Sequence, residues 1–214
     1  MILGTREKDY YIQTNNAKYP LLTCGFTSAV GGLSICGYDL SKIPGTEKQP
    51  EDKLTAIAMT ESNWPEYSEY LQKVRNVQID FLQIFKNTTP PYEFPQLITY
   101  IINKIFGEYS TIFRYGWNSF EKIKQEIDRG NTVIICGNFT LSGHYVLVCG
   151  YEDNSILIIN DSYPPNYNSG DGYNKSYVQL TNRTLLKNPD MRGKMEEIKI
   201  DSYQILITKK RLYE

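Results

Sequence analysis

Three short runs of apolar, mostly β-branched residues follow one another late in the chain: 132–137 (TVIICG), 144–151 (HYVLVCGY) and 155–160 (SILIIN). Gly, Asn and Asp separate them. Runs of this length and composition between turn residues predict consecutive strands of an antiparallel sheet. A further run, 198–208 (IKIDSYQILIT), reads as a closing strand, 162–176 as a loop, and 181–187 as a short helix.

The first 130 residues have a different texture. Positions 24–37 (CGFTSAVGGLSICG) predict a short helix of small residues ending at Gly37. Each interior glycine weakens such a helix by roughly 1 kcal/mol relative to Ala, so the helix makes sense only if it packs closely against other backbone. Helical periodicity then runs in pieces through 50–107. Pro50 starts one piece, Pro65 sits in the first turn of the next, and NTTPPYEFP interrupts before 95–106 (PQLITYIINKIF). Another helix, 118–129, starts at Asn118 or Ser119 and stops at Gly130. Helices first and strands later is an α+β architecture. The expectation is one domain over 1–214, carrying a helical insertion at about 39–110.

The formal net charge is -1 and the 23 Lys and Arg are scattered, so no basic field points to nucleic acid. No apolar run is long enough for a membrane span, and MILGTREKDYYIQ contains no signal-type apolar core. The expectation is a soluble chain, cytoplasmic or secreted after removal of a signal. One histidine, His144, excludes HExxH zinc sites and every mechanism that needs two imidazoles. The four cysteines form no CxxC pair. Cys36, Cys136 and Cys149 lie in apolar surroundings and read as small core residues.

Cys24 remains. It stands where a helix of small residues begins, and a thiolate there is stabilised by the helix dipole and backbone N–H groups. Position alone leaves it as either a nucleophile or one more buried thiol. His144 opens a strand directly after Gly143. Pairing 144–151 with 155–160 around a tight turn returns Asp161 to the neighbourhood of His144, where a carboxylate can fix the imidazole tautomer. A lone histidine and a turn-forming aspartate are the plain alternatives. Together the three residues supply nucleophile, base and orienting group.

YYIQTNNAKYPLLTCGFTSAVGGLSICG resembles the opening of the bacteriocin-processing (double-glycine) peptidase-like family of papain-like cysteine peptidases, with Gln13, Cys24, Gly25, Thr27 and Ser28 on its motif positions. SGHYVLVCGYEDNSILIINDSYP resembles the second block of that family through His144, Gly150, Tyr151, Asn160 and Asp161, and GDGYNKSY its tyrosine-rich loop. The likeness covers 10–38 and 130–180 but not 39–110. Phe26 departs from the pattern, and no transporter region is attached. The resemblance implies a papain-like fold and a cysteine peptidase or amidase with Cys24, His144 and Asp161 as triad. It also implies that Gln13 donates to the oxyanion beside the Cys24 backbone N–H.

No cofactor is implied. Asn166, Asn168 and Asp171 offer oxygen ligands for calcium, but Gly170-Asp171-Gly172 reads better as a turn, and no metal is expected. The expected partner is a peptide, protein or peptidoglycan-peptide substrate. A catalytically silent peptide-binding module on the same fold and a transglutaminase-like acyl transferase are the competing functions.

Overall fold

A computed structural model describes residues 1–75, 95–115, 120–137, 139–140, 143–152, 156–164, 172–180, 185–188 and 196–210. The helices are α1 (Arg6–Asp9), α2 (Cys24–Ile35), α3 (Pro50–Ala58), α4 (Trp64–Arg75), α5 (Pro95–Phe106) and α6 (Phe120–Asp128). The strands are β1 (Thr111–Tyr115), β2 (Thr132–Gly137), β3 (His144–Glu152), β4 (Ile156–Asn160), β5 (Lys175–Leu180), β6 (Leu185–Asn188) and β7 (Glu196–Ile207). The architecture is α+β, and every strand pairing is antiparallel.

The seven strands run in the order β1-β7-β2-β3-β4-β5-β6, and β6 also pairs with β7. The ring of pairings from β7 through β6 therefore closes on itself. β7 makes this possible by its length: Glu196–Lys199 pairs with β6, and Tyr203–Ile207 pairs with β1. A register shift between Ile135 and Gly137 bends the β2–β7 pairing where β7 changes neighbours.

Side chains on β2, β3 and β7 alternate between two buried layers. Ile134, Tyr145, Leu147, Ile205 and Ile207 face α2 together with α3, α4 and α5. Val133, Ile135, Val146, Val148 and Leu206 face Phe120, Ile123 and Ile127 of α6. Cover on both faces explains why these strands read as unbroken apolar runs. Helix α2 is buried along nearly its whole length, from Gly25 to Ser34. A Cβ at Gly32 would lie 2.3 Å from Ile207 Cδ1 and 2.8 Å from Thr132 Oγ1. The glycine that weakens the helix is thus the one that lets it touch the sheet. Gly130, φ +80°, closes α6 and turns the chain into β2.

One sequence expectation is corrected. Leu185–Asn188, which overlaps the run read as a helix over 181–187, is strand β6, held by β5 on one side and β7 on the other. Pairing with distant segments overrides the local preference of a leucine-rich stretch. Strand β1 carries no clear signal in the sequence, because TIFRY is short and its partner, β7, lies at the far end of the chain. Tyr67 and Leu71 of α4 are buried in the core; Val77, Phe81, Leu82 and Phe85 fall outside the described residues, as do the α6 cap at 118–119 and Asn166, Asn168 and Asp171. No disulfide joins the four cysteines. No helix among the described residues is long and apolar enough to cross a membrane.

α3 carries an unusual buried acid. Glu51 is 1% exposed and its Oε2 has no hydrogen-bond partner. Burial, assisted by the neighbouring Asp52 charge and opposed by its own backbone N–H, pushes its carboxyl from 4.5 up to about 7. Asp52 is paired, accepting from the Ala17 N–H at 3.1 Å.

Two outcomes are expected. Gly32→Val should lower stability by about 3 kcal/mol through overpacking against Ile207 and Thr132, read from urea midpoints at unchanged slope. For Glu51 the folded state keeps a proton that the unfolded chain loses. The stability that Glu51 contributes is therefore fully present below pH 4.5, falls as the pH rises towards about 7, and is gone above it, a loss on the order of 3 kcal/mol. Glu51→Gln should remove most of that dependence in melting temperatures measured across the same range.

Candidate functional site

Cys24 is the first residue of α2, and Thr23 precedes it as the N-cap. The Thr23 side chain makes no capping bond; its hydroxyl accepts from Asn16 Nδ2 at 2.7 Å. Asn16 Nδ2 also reaches Thr27 Oγ1 at 3.2 Å, and that hydroxyl donates to the Thr23 carbonyl at 2.8 Å. The first turn of the helix is thus braced by the Asn16 side chain from outside it. Cys24 is half-buried, while the other three cysteines are buried. Burial pushes the Cys36 thiol up to about 11 and that of Cys149 to about 12, so neither ionises near neutrality.

One turn into α2, Ser28 Oγ donates to the Tyr145 carbonyl at 3.2 Å. Further along, Gly31 and Gly32 lie against the Leu147 side chain. Helix and strand therefore advance side by side, and the N-terminal end of α2 lies over the start of β3, where His144 stands. His144 pairs with Gly137 across β2 and follows Gly143, whose φ of +84° turns the chain into the strand.

His144 Nε2 lies 2.6 Å from Asp161 Oδ1, with the two side chains 3% and 0% exposed. The β3–β4 hairpin brings them together: Leu147 faces Asn160, and Asp161 follows. With Nε2 held by the carboxylate, Nδ1 is the ring nitrogen left for another partner. Phe139 and Tyr163 make edge-to-face contacts with the imidazole at centroid distances of 6.4 and 6.1 Å.

The N-terminal segment grips the residues around Asp161. Asp161 Oδ1 also accepts from the Tyr163 N–H at 2.8 Å. The Asp161 N–H donates to the Gly172 carbonyl at 2.8 Å, and its carbonyl accepts from Tyr10 Oη at 2.9 Å. Gln13 is 2% exposed. Its backbone N–H donates to the Ser162 carbonyl at 2.9 Å, its Oε1 accepts from Ser162 Oγ at 2.7 Å, and its Nε2 donates to the Pro20 carbonyl at 3.2 Å. A carbonyl can only accept, so Pro20 dictates which end of the amide carries the nitrogen. That nitrogen faces the Pro20–Thr23 turn leading to Cys24.

The structure thus joins His144 to Asp161 directly, ties Gln13 to the residue after Asp161, and sets Cys24 at the helix end above the start of β3. Tyr10, Asn16 and Ser162 take part although the sequence assigns them no role at the site, and Gly172 takes part although the sequence marks it only as a turn residue. Adjacency to Asp161 is the one signal that pointed to Ser162; Gly172 reads as an ordinary turn glycine. A groove of about 1120 Å³ lies elsewhere, at the other end of α2, lined by Tyr38, Lys42, Phe106, Tyr109, Lys209 and Lys210 among others.

No curated protein matches the chain. The family model described as the Peptidase_C39 like family matches residues 6–185. That match covers well over half of the chain, and the chain belongs to the Peptidase_C39 like family of papain-like cysteine peptidases.

Proposed function

We propose that this chain hydrolyses peptide or amide bonds through Cys24, His144 and Asp161, with Gln13 assisting at the oxyanion. The observation that carries the reading is the buried 2.6 Å contact between His144 Nε2 and Asp161 Oδ1, on a strand whose start lies under the N-terminus of α2. Asp161 holds the ring with Nδ1 directed away from the carboxylate. In this reading Nδ1 takes the Cys24 proton, the thiolate attacks the substrate carbonyl carbon, and the carbonyl oxygen becomes the oxyanion. Collapse breaks the C–N bond, and the imidazolium gives its proton to the departing amine. Water, deprotonated by the same imidazole, then attacks the thioester and releases the acid, restoring the Cys24 thiol.

The amide of Gln13 supports the second part of the reading. One of its Nε2 hydrogens goes to Pro20; the other meets no protein acceptor among the described residues and is available to an oxyanion formed at Cys24, beside the backbone N–H of that residue. The substrate class is a peptide, a protein or a peptidoglycan peptide. We read 1–214 as one papain-like domain in which 39–110 is a helical insertion, since α3, α4 and α5 share a single core with α2.

The test is chemical labelling with peptide mapping. Iodoacetamide should alkylate Cys24 in preference to Cys36, Cys136 and Cys149, and His144→Ala should slow that labelling at neutral pH by about 10²-fold or more. Preferential labelling of another cysteine would overturn the assignment. A second expectation separates Gln13 from the triad. Acylation by p-nitrophenyl acetate passes through an oxyanion, whereas alkylation does not. Gln13→Ala should slow acylation of Cys24 by about 10²-fold and leave alkylation unchanged.

A further inference from the structure

We propose that Tyr10 is a positioning residue for Asp161: its hydroxyl, together with Gly172, fixes the backbone from which the carboxylate reaches His144. This rests on the reading of Cys24, His144 and Asp161 as a working triad.

Three hydrogen bonds close a ring. The Asp161 N–H donates to the Gly172 carbonyl at 2.8 Å. The Gly172 N–H donates to Tyr10 Oη at 2.8 Å. Tyr10 Oη donates to the Asp161 carbonyl at 2.9 Å. The direction of each bond is forced, because an amide N–H can only donate and a carbonyl can only accept. The middle member must do both at one atom, which a phenol does and a phenyl ring cannot. Gly172 is equally constrained: a Cβ there would lie 2.0 Å from the Asp161 carbonyl oxygen. Burial pushes the Tyr10 hydroxyl up to about 12, so it keeps the proton it donates.

The ring acts on the backbone of a residue whose side chain is already committed. Asp161 Oδ1 accepts from Tyr163 and contacts His144, and a 2.6 Å contact between two buried groups tolerates little displacement. Without the Tyr10 hydroxyl, the bond to the Asp161 carbonyl and the bond from the Gly172 N–H are both lost, and the ring that fixes the Asp161 peptide opens. Among the ionisable groups around Asp161 are His144, Tyr10 and Tyr163. Arg6 sits beyond, its guanidinium 5.8 Å from the Tyr10 ring centre and 5.6 Å from that of Tyr173. A well-placed Asp161 stabilises the imidazolium and, through it, the Cys24 thiolate.

The experiment is the pH profile of iodoacetamide alkylation at Cys24, followed by peptide mapping. In the wild type the midpoint should lie well below 8.5, the ordinary thiol value. Tyr10→Phe should raise it by about one pH unit and should add nothing on top of Asp161→Asn. Arg6→Ala, which keeps the hydroxyl, should leave the midpoint in place. If Tyr10→Phe does not unfold cooperatively, Gly172→Ala takes its place, since it drives a methyl group into the Asp161 carbonyl and should move the midpoint the same way. An unmoved midpoint in a folded Tyr10→Phe, an equal shift in Arg6→Ala, or full additivity with Asp161→Asn overturns the role of Tyr10 while leaving the triad intact. A wild-type midpoint near 8.5 that His144→Ala does not change overturns the triad reading itself.

Discussion

Helix α2 touches the sheet with almost nothing in between. At Gly32 the space a single methyl group would need is already taken by Ile207 and Thr132, and a Cβ at Gly31 would lie 3.2 Å from Leu147 Cδ2. A larger residue in this stretch would lift the helix off the sheet, and with it Cys24. The close approach has a cost in helix propensity, offset by burial: nearly every residue of α2 after Cys24 is inaccessible to solvent. The rest of the molecule is arranged around this contact. Helices α3, α4 and α5 cover the outer side of α2, and the strands under it carry His144.

The candidate site is assembled from separate parts of the chain, each with its own support. Asn16 braces the helix turn that begins at Cys24. The β3–β4 hairpin brings His144 to Asp161. The segment Tyr10–Gln13 runs alongside Asp161 and Ser162, binding the backbone of one and both the backbone and hydroxyl of the other. Holding a buried imidazole against a buried carboxylate is expensive unless the remaining hydrogen-bonding capacity is met. Here the carboxylate oxygen that contacts His144 also accepts from the Tyr163 N–H. Specific bonds rather than a generally polar surrounding hold the pair.

Much of the fold was legible in local pattern. The runs at 132–137, 144–151 and 155–160 became β2, β3 and β4, and the small-residue stretch after Cys24 became α2, because composition and short-range periodicity carry that information. The failures have one cause. TIFRY at 111–115 and LLKN at 185–188 are strands only because β7 passes beside both, and no window of sequence around either contains that fact. The same division runs through the site. The helix start at Cys24 and the strand–turn–strand unit carrying His144 and Asp161 are local features. The bond between Tyr10 and Asp161 spans 151 positions, and nothing near Tyr10 announces it.

By itself, the sequence determined which chemical groups the chain owns and which short elements carry them: one imidazole, one thiol at the head of a small-residue helix, and an aspartate at the end of an apolar strand. Only the tertiary structure decided that Nε2 rather than Nδ1 of His144 meets the carboxylate, which way the Gln13 amide faces, and that Tyr10 and Gly172 close around the Asp161 peptide. Local periodicity is written in neighbouring side chains. Hydrogen-bond direction and ångström-scale separation arise only when distant segments are brought together and each donor must find the one acceptor within reach.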